Sequence, residues 1–526
     1  MRLLDQPLDF KQMPGALAVY RARTYMAGLL SFTRAVKKGG GRFVALWGSD
    51  ERDRSEKPSE GFSLHVAFGL TEGLALVTIF LPADNPEFPD LSEIFPAANR
   101  MQRATYDLLG LHTRSVDQRP WLRHANWPAD FFPLRRGPVP KKSFPLSHED
   151  YAFVRVEGDG VHEIPVGPIH AGIIEPGHFR FSIVGERVLR LEQRLGWKHK
   201  GIEKIFTRLT LHDGHILAGR VSGDSTVAYA WAYCLAAETL TGCVVPQRAA
   251  WLRALMLERE RIANHLGDLG YLGNDVALSF GLAQFMRLKE DWLRMSNALF
   301  GHRFMMDCII PGGVAQDLPP DGSELLLEQC ETIEHEVRTI KKVYDDHAGL
   351  QDRFLTTGRL QPQLAEHLSV SGVVGRASSQ VWDLRATNPI APYDQIDVQM
   401  VTHRNGDVAA RATVRFEEII ESLRLIRRLI KRMPQGEVSV PLPPVQEGEC
   451  KVDGANAVGL GWIEGWRGDV LVALEAEANG RIRRCHCHDP SWRNWPALEH
   501  AAVGNIVPDF PLINKSFNLS YSGHDL

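Results

Sequence analysis

Proline, glycine and basic residues crowd positions 133–145, where Pro133, Arg135, Arg136, Gly137, Pro138, Pro140, Lys141, Lys142 and Pro145 deny both helix and strand a regular interior. This run constrains the chain most, because it predicts that the stretches on either side organise separately. It reads as a solvated connection or as a docking strip for an acidic partner. With 526 residues, and about 150 per domain, two to four domains are expected. We place a first domain at 1–140, a linker at 141–150 and a second domain at 151–526.

The first stretch reads as α+β. Residues 15–37 are compatible with a helix, and Gly39, Gly40 and Gly41 punctuate the step to an apolar strand, Phe43 to Trp47. A charged loop follows at 50–60. Phe62–Phe68 and Leu74–Leu81 read as neighbouring antiparallel strands around Thr-Glu-Gly. Beyond the linker, Val161–Val166 and Phe179–Val184 look like strands, and from about 200 to 350 the pattern turns helical.

The segment 247–270 spaces Trp251, Leu252, Leu255, Ile262, Leu266 and Leu269 for an amphipathic helix buried along one stripe. Glu258, Arg261 and His265 recur on it at helical spacing, as an ionic row locking helices together or as catalytic groups. Further helices are expected at 322–347 and 415–433, and short strands at 457–488. The fold class is therefore α+β, with a mainly helical second domain carrying short β segments at both ends.

Composition excludes several classes. Hydrophobic residues at 44% and charged residues at 24% are globular values, so neither disorder nor a membrane-embedded body is expected. No apolar run approaches the ~18 residues of a membrane-spanning helix, and Met1–Lys11 lacks the pattern of a signal peptide. Lys+Arg 60 against Asp+Glu 64 gives a net charge of -4, which offers no global field for nucleic acid. Seven cysteines without framework spacing fit a reducing compartment, read as cytoplasmic.

Two local patterns fail their own tests. Gly459, Gly461 and Gly465 are one residue off a dinucleotide fingerprint, and Asp469 to Leu474 continues as strand where the fingerprint needs a helix. Cys485-His486-Cys487-His488 is dense in potential ligands. On a strand, however, the two thiols face one side and the two imidazoles the other, which cannot close one tetrahedral site. No metal site is expected.

The most specific residues run from Gly167 to Gly242: Gly167-Pro168-Ile169-His170, Glu175-Pro176-Gly177-His178-Phe179-Arg180, His199-Lys200-Gly201-Ile202-Glu203-Lys204 and Arg220-Val221-Ser222-Gly223-Asp224-Ser225. With Pro246-Gln247-Arg248-Ala249, Asn264-His265-Leu266 and Pro311-Gly312-Gly313-Val314, they resemble the large subunit shared by membrane-bound (group 4) nickel-iron hydrogenases and respiratory complex I. Ile94-Phe95-Pro96-Ala97-Ala98-Asn99 and Tyr106-Asp107-Leu108-Leu109-Gly110 are similar to the small α+β subunit often fused to it. The resemblance covers nearly the whole chain.

The departures decide what the resemblance implies. In the hydrogenases, two C-x-x-C pairs give four soft thiolates to a nickel-iron centre. Here Ser222 and Ser225 stand at the first pair, and Ser491 and Asn494 follow Asp489-Pro490 at the second. A serine hydroxyl or an asparagine amide replaces no thiolate, so nickel chemistry is not expected. Small hydroxyls could instead satisfy one another or hold water. No trimming of the kind that accompanies nickel insertion is then needed, and the mature chain is expected to end at Leu526.

Complex I has also lost the metal, and its cavity receives a quinone head group held by a histidine and a tyrosine. His170 matches that histidine, but Gly223 stands at the tyrosine position. The chain therefore resembles a third set: hydrogenase-related complexes without nickel ligands. By the same resemblance, His199, Lys200 and Glu203 lie beside the partner's iron–sulfur cluster, with Lys200 where complex I more often has arginine. Arg385 matches a basic residue near the cavity, with a structural arginine as the alternative. His178 reads as structural.

The resemblance implies a peripheral subunit on the cytoplasmic side of the inner (cytoplasmic) membrane, with no cofactor bound by this chain. Its partners would be a small subunit with a 4Fe-4S cluster, a membrane subunit of quinone-site type and antiporter-like membrane subunits. Electrons would pass to a quinone-like acceptor in a cavity lined by His170, Ser222, Gly223, Ser225 and Ser491. His170 and Arg385 would act on the acceptor, coupled to ion translocation. The alternative is a catalytically empty coupling subunit.

Overall fold

A computed structural model describes residues 8–54, 57–137, 144, 147, 151–171, 174–445, 451–452, 455–456 and 458–526. Most of the expected linker at 141–150 lies outside the described residues. The fold is α+β.

The first stretch builds a five-stranded sheet in the order β1-β2-β5-β4-β3 from β1 (Lys11–Gln12), β2 (Val19–Arg23), β3 (Arg42–Asp50), β4 (Phe62–Leu70) and β5 (Gly73–Leu81). The expected hairpin is β4 and β5, paired antiparallel from Phe62 opposite Leu81 to Leu70 opposite Gly73. Helices α1 (Met26–Lys38) and α2 (Ala98–Leu109) complete this part, with a short parallel pair, β6 (Glu87–Phe88) and β7 (His112–Thr113). The helix expected over 15–37 is shorter at its start. Val19–Arg23 instead forms a parallel partner of β5, a pairing with chain more than fifty residues away that local composition does not announce.

Every residue of β4 is buried, because both faces of the sheet are covered. Phe32, Val36, Phe43, Leu64, Val66, Val77 and Met101 join one core with α1 and α2, and that core continues into residues 179–195 and 492–521. Ala45, Trp47, Ala67, Leu74 and Leu76 face the other way, into the core of the helical part. Neither core is confined to one side of the 138–150 stretch.

The second stretch opens with an antiparallel sheet of β8 (Val161–Val166), β9 (His178–Val184) and β10 (Arg187–Arg194). Short helices α3 (Ile202–Phe206) and α4 (Gly214–Ala218) lead to α5 (Thr226–Thr241), α6 (Gln247–Asp275) and α7 (Ser279–Phe300). After the small pair β11 (Ile309–Ile310) and β12 (Gly313–Val314) come α8 (Gly322–Asp346), α9 (Ala348–Phe354), α10 (Pro362–His367), α11 (Gly372–Arg376), α12 (Leu384–Thr387) and α13 (Val408–Arg432). The chain closes with β13 (Lys451–Val452), β14 (Ala455–Asn456), a sheet of β15 (Gly459–Gly465), β16 (Gly468–Ala476) and β17 (Ile482–His488), and helices α14 (Ser491–Ala502), α15 (Phe510–Phe517) and α16 (Tyr521–Asp525).

Helix α6 departs from its expected single stripe. Besides the apolar set, Arg253, Glu258, Arg259, Arg261 and His265 are all buried, so the helix is enclosed on nearly every side. Its polar face is tolerated because each charge meets a partner on a neighbouring element. The glycines of β15 have a packing role. A Cβ on Gly459 would lie 2.0 Å from the carbonyl oxygen of Ala236, and one on Gly461 1.8 Å from that of Ala232, so strand and helix α5 touch backbone to backbone.

Candidate functional site

The last nine residues organise the site. The tail 518–526 threads between the motifs singled out above and hydrogen-bonds three of them. Ser520 sits at its centre: its hydroxyl lies 2.8 Å from that of Ser222, and its amide donates to Ser491 Oγ at 2.9 Å. Ser222 also donates to Asp224 Oδ1 at 2.9 Å, and Arg467, from the β15–β16 turn, binds both oxygens of Asp224. Ser225 receives a bond from Arg467 Nη1 at 3.3 Å. Ser222, Ser225 and Ser491 are all buried, and their hydroxyls are taken up by Ser520, Asp224 and Arg467, not by one another.

Asn494 stands apart from these hydroxyls. Its amide clasps the backbone of Ser371 in both directions, accepting from the N–H at 3.1 Å and donating to the carbonyl at 3.2 Å. Gly223 faces open space: a Cβ there would meet only Met306 Cε, at 3.6 Å.

His170 lies on a loop closed across its base. Its Nε2 bonds the Gly177 carbonyl at 2.7 Å, Gly177 N–H reaches the Pro168 carbonyl at 3.2 Å, and His178 Nδ1 bonds the Gly167 carbonyl at 3.0 Å. Gly167 has φ +82, and a Cβ on it would lie 2.6 Å from His170 Nε2, so only glycine admits the ring. Since a carbonyl only accepts, Nε2 carries the proton, and Nδ1 of the neutral ring is an acceptor. The loop meets the tail where Ser522 N–H donates to Glu175 at 3.2 Å. His178 is a structural histidine in this arrangement.

His199 and its neighbours meet the other end of the tail. His199 Nδ1 bonds the Asp525 carbonyl at 2.8 Å, and its ring stacks on Trp127. The Lys200 amide donates to Leu526 O at 2.7 Å. Glu203 is buried between Arg484 (3.1 Å) and His486 (2.8 Å). Burial alone would raise its pKa, but Arg484 and His486 overcome this and hold the carboxyl at about 2. His486 in turn stacks on Trp47 of the first sheet.

The Cys-His-Cys-His strand alternates as expected. The Cys485 and Cys487 sulfurs lie 3.8 Å apart inside the helical core, and His486 and His488 face the other side. Burial pushes the Cys485 thiol well up, away from the thiolate form a metal would need.

Arg385 is not brought to these hydroxyls. It is buried, with Nη1 at 2.9 Å from Glu258 and Nη2 at 2.7 Å from Asp383. Glu258 further accepts from Tyr393 and Ser422 at 2.6 Å each and lies 3.6 Å from Arg261. Arg261 and His265 both meet Glu418, and Arg376 joins Glu418 to Glu464. The ionic row foreseen in Glu258, Arg261 and His265 is thus real. It touches the hydroxyl cluster only indirectly: Arg261 bonds the Glu464 and Gly465 carbonyls, and the turn that follows carries Arg467 to Asp224.

Sequence reasoning missed Arg467, Ser520 and the tail. Asp224 and Asp489 stood inside the quoted motifs, and Asp489 accepts from the buried Tyr229 hydroxyl at 2.8 Å. Arg467 and Ser520 sit in no motif, and the partners that matter most to them, Asp224 and Ser222, lie more than 200 residues away.

A family model described as the respiratory-chain NADH dehydrogenase 49 Kd subunit matches residues 275–451, and one described as the 30 Kd subunit matches 20–144. The chain is 30% identical over 494 residues to formate hydrogenlyase subunit 5 of Escherichia coli (strain K12), covering 93% of this chain and 85% of that protein. It belongs to the fused large-subunit family of membrane-bound hydrogenases and respiratory complex I.

Within that family, the carbon monoxide-induced hydrogenase of Rhodospirillum rubrum is 31% identical over 359 residues, covering 68% of this chain and 97% of that protein. The C/D polypeptide of NADH-quinone oxidoreductase from Bacteroides thetaiotaomicron is 27% identical over 463 residues, covering 84% and 86%. Among solved structures, the membrane-bound sulfane sulfur reductase, an archaeal respiratory membrane complex, shares the fold at a TM-score of 0.64 and 23% identity. The match covers 70% of this chain and 99% of that one. The protein is a hydrogenase-like, complex I-like large subunit. Among the described residues, no helix is long and apolar enough to cross a membrane. The 49 Kd match spans α7, α8, α13 and Arg385, while the serine cluster and the tail lie outside it.

Proposed function

We propose that this family member works without nickel. In this reading it forms, with an iron–sulfur subunit, a pocket where electrons from a 4Fe-4S cluster pass to a quinone-like organic acceptor. The observation that carries the reading is the hydroxyl cluster itself. Ser222, Ser225 and Ser491 stand where hydrogenases carry thiolates, and Ser520 and Asp224 already take up the hydroxyls of Ser222 and Ser491. That donor set does not fit a nickel-iron centre.

His170, Ser222, Gly223, Ser225 and Ser491 line the pocket in this proposal, and His199, Lys200 and Glu203 face the partner's cluster. His170 can accept a hydrogen bond through Nδ1 when neutral. It donates a proton from that atom only as the imidazolium, since Nε2 is committed to Gly177. Arg385, bonded to Glu258 and Asp383, acts as a positioning residue through Arg261 and the turn carrying Arg467, not on the acceptor. The chain would lie peripherally on the cytoplasmic face of the inner membrane, above a quinone-site-type subunit and antiporter-like subunits that move ions. Residues 1–140 and 151–526 would be its two domains, joined by 141–150.

A second reading, a catalytically empty coupling subunit, is favoured by Gly223, which leaves room for a hydrogen-bonding side chain that the sequence does not supply. The test is to purify the intact complex, determine its metals and record the low-temperature spin-resonance spectrum after dithionite reduction, with and without a quinone analogue. An iron–sulfur signal without nickel that shifts with the analogue, and no longer shifts in His170→Ala, supports electron delivery. Absence of any cluster signal in the intact complex hands the case to the coupling reading, and stoichiometric nickel overturns both.

A further inference from the structure

A cleft of about 360 Å³ opens where the turn between α1 and β3 meets α10 and the loop after α11. Its size suits a small organic molecule. Lys37 and Arg42 contribute two positive charges, Glu366 one negative, and Trp382 an aromatic wall. None of these residues belongs to the hydroxyl cluster or the tail.

Arg42 is the unusual member. Its hydrogen bonds run from Nη2 to the carbonyls of Ser369 and Val370, while Nη1 is enclosed without an acceptor. Among the described residues no carboxylate lies within ion-pair distance of it. Asp469, which could balance it, is bonded to Arg493. Burial, then the Arg493 charge, lowers the Arg42 pKa to about 10. A guanidinium held by two carbonyls, with Asp469 and Glu464 near but no carboxylate in ion-pair contact, sits in an environment that favours an incoming anion. The guanidinium lies over the Trp382 ring, 5.1 Å from its centroid, so a flat group entering the cleft meets a stacked cation and ring. Lys37 adds a second cation whose pKa is lowered by burial, despite Glu366.

We propose that this cleft binds a small monocarboxylate with a planar or apolar body. Two cations against one acid leave a net charge of one, which a monocarboxylate balances and a phosphate dianion exceeds. The carboxylate would lie between Arg42 and Lys37, with its body against Trp382.

Benzoate is the probe, titrated calorimetrically into the full chain within its purified complex, with benzamide as the neutral isostere and inorganic phosphate as the dianion. Benzoate should bind at least tenfold more tightly than benzamide, and Lys37→Gln should weaken benzoate about tenfold while leaving benzamide unchanged. Arg42→Gln should abolish benzoate binding. Because Arg42 also ties down two carbonyls, its loss could unfold the site, and Lys37→Gln, at the cleft's rim, keeps the test independent of that. Equal affinity for benzoate and benzamide, no benzoate binding, or insensitivity to Lys37→Gln would each overturn the proposal. Tighter binding of phosphate than of benzoate would overturn the choice of a monocarboxylate.

Discussion

The ionic row around Glu258 and the hydroxyl cluster around Ser520 are both buried, and they are satisfied in opposite ways. In the row, full charges meet full charges across α6, α11, α12, α13 and β15, at distances of 2.7–2.9 Å for the closest pairs of Arg376 and Arg385. In the cluster, hydroxyls bond one another, an amide or the Asp224 carboxylate at 2.8–2.9 Å, and the one strong ion pair, Arg467 with Asp224, sits at its edge. Removing one member of the row strands a buried charge, whereas removing a hydroxyl strands only a dipole. The row therefore suits rigidity, and the cluster can change partners at little cost.

The largest expected effect follows directly. Glu258→Ala leaves Arg385 and Arg261 without their shared carboxylate and should destabilise the chain by about 3–5 kcal/mol, read as a fall in denaturation midpoint. A loss below about 1 kcal/mol would show that the row is not the rigid half of the pair.

Glu203 tests whether ionic satisfaction extends to the contact between α3 and β17. Its carboxyl falls from 4.5 to about 2 in the folded chain, which corresponds to roughly 3 kcal/mol. Because the folded value is depressed, this contribution is complete above about pH 4.5 and is lost as the pH drops through about 2. Denaturation midpoints measured from pH 6 to pH 2 should fall steeply for the natural chain. They should fall less steeply for Glu203→Gln, and parallel curves would refute the assignment.

Ser520→Ala removes the side chain that joins Ser222 to the tail and caps Gly523 N–H, and should cost about 1–2 kcal/mol. Ser222→Ala should cost about 1 kcal/mol, since Ser520 keeps its bond to Gly523 and Asp224 keeps Arg467. If Ser222→Ala proves as damaging as Glu258→Ala, the contrast between the two regions fails.

The same contrast explains what could be read from sequence. The β4–β5 hairpin is a local pairing of two apolar runs, and the row follows from residues three and four apart on one helix; both are short-range patterns. The strand Val19–Arg23 escaped because its partner is β5 and its composition suits a helix equally well. The all-round burial of α6 escaped because charged residues read as solvent-facing until Arg385 and Glu418 arrive from 127 or more residues away. In the site, His170, His199 and the serines were legible as motif members. The tail that ties them together was not, because hydrogen bonds made by Ser520, Asp525 and Leu526 leave no periodic trace.

The two cores that run across the 138–150 stretch have one more consequence. The carbon monoxide-induced hydrogenase of Rhodospirillum rubrum aligns with only 68% of this chain, at 97% of its own length, so a comparable large part exists as a shorter, separate polypeptide. Where the parts are separate, their meeting depends on how much of each is present. Here one covalent chain fixes each part at an effective concentration on the order of millimolar relative to the other. Their docking is a first-order event, indifferent to dilution, and the contact can carry polar pairs such as Arg483 with Asp53 without the chain losing its partner.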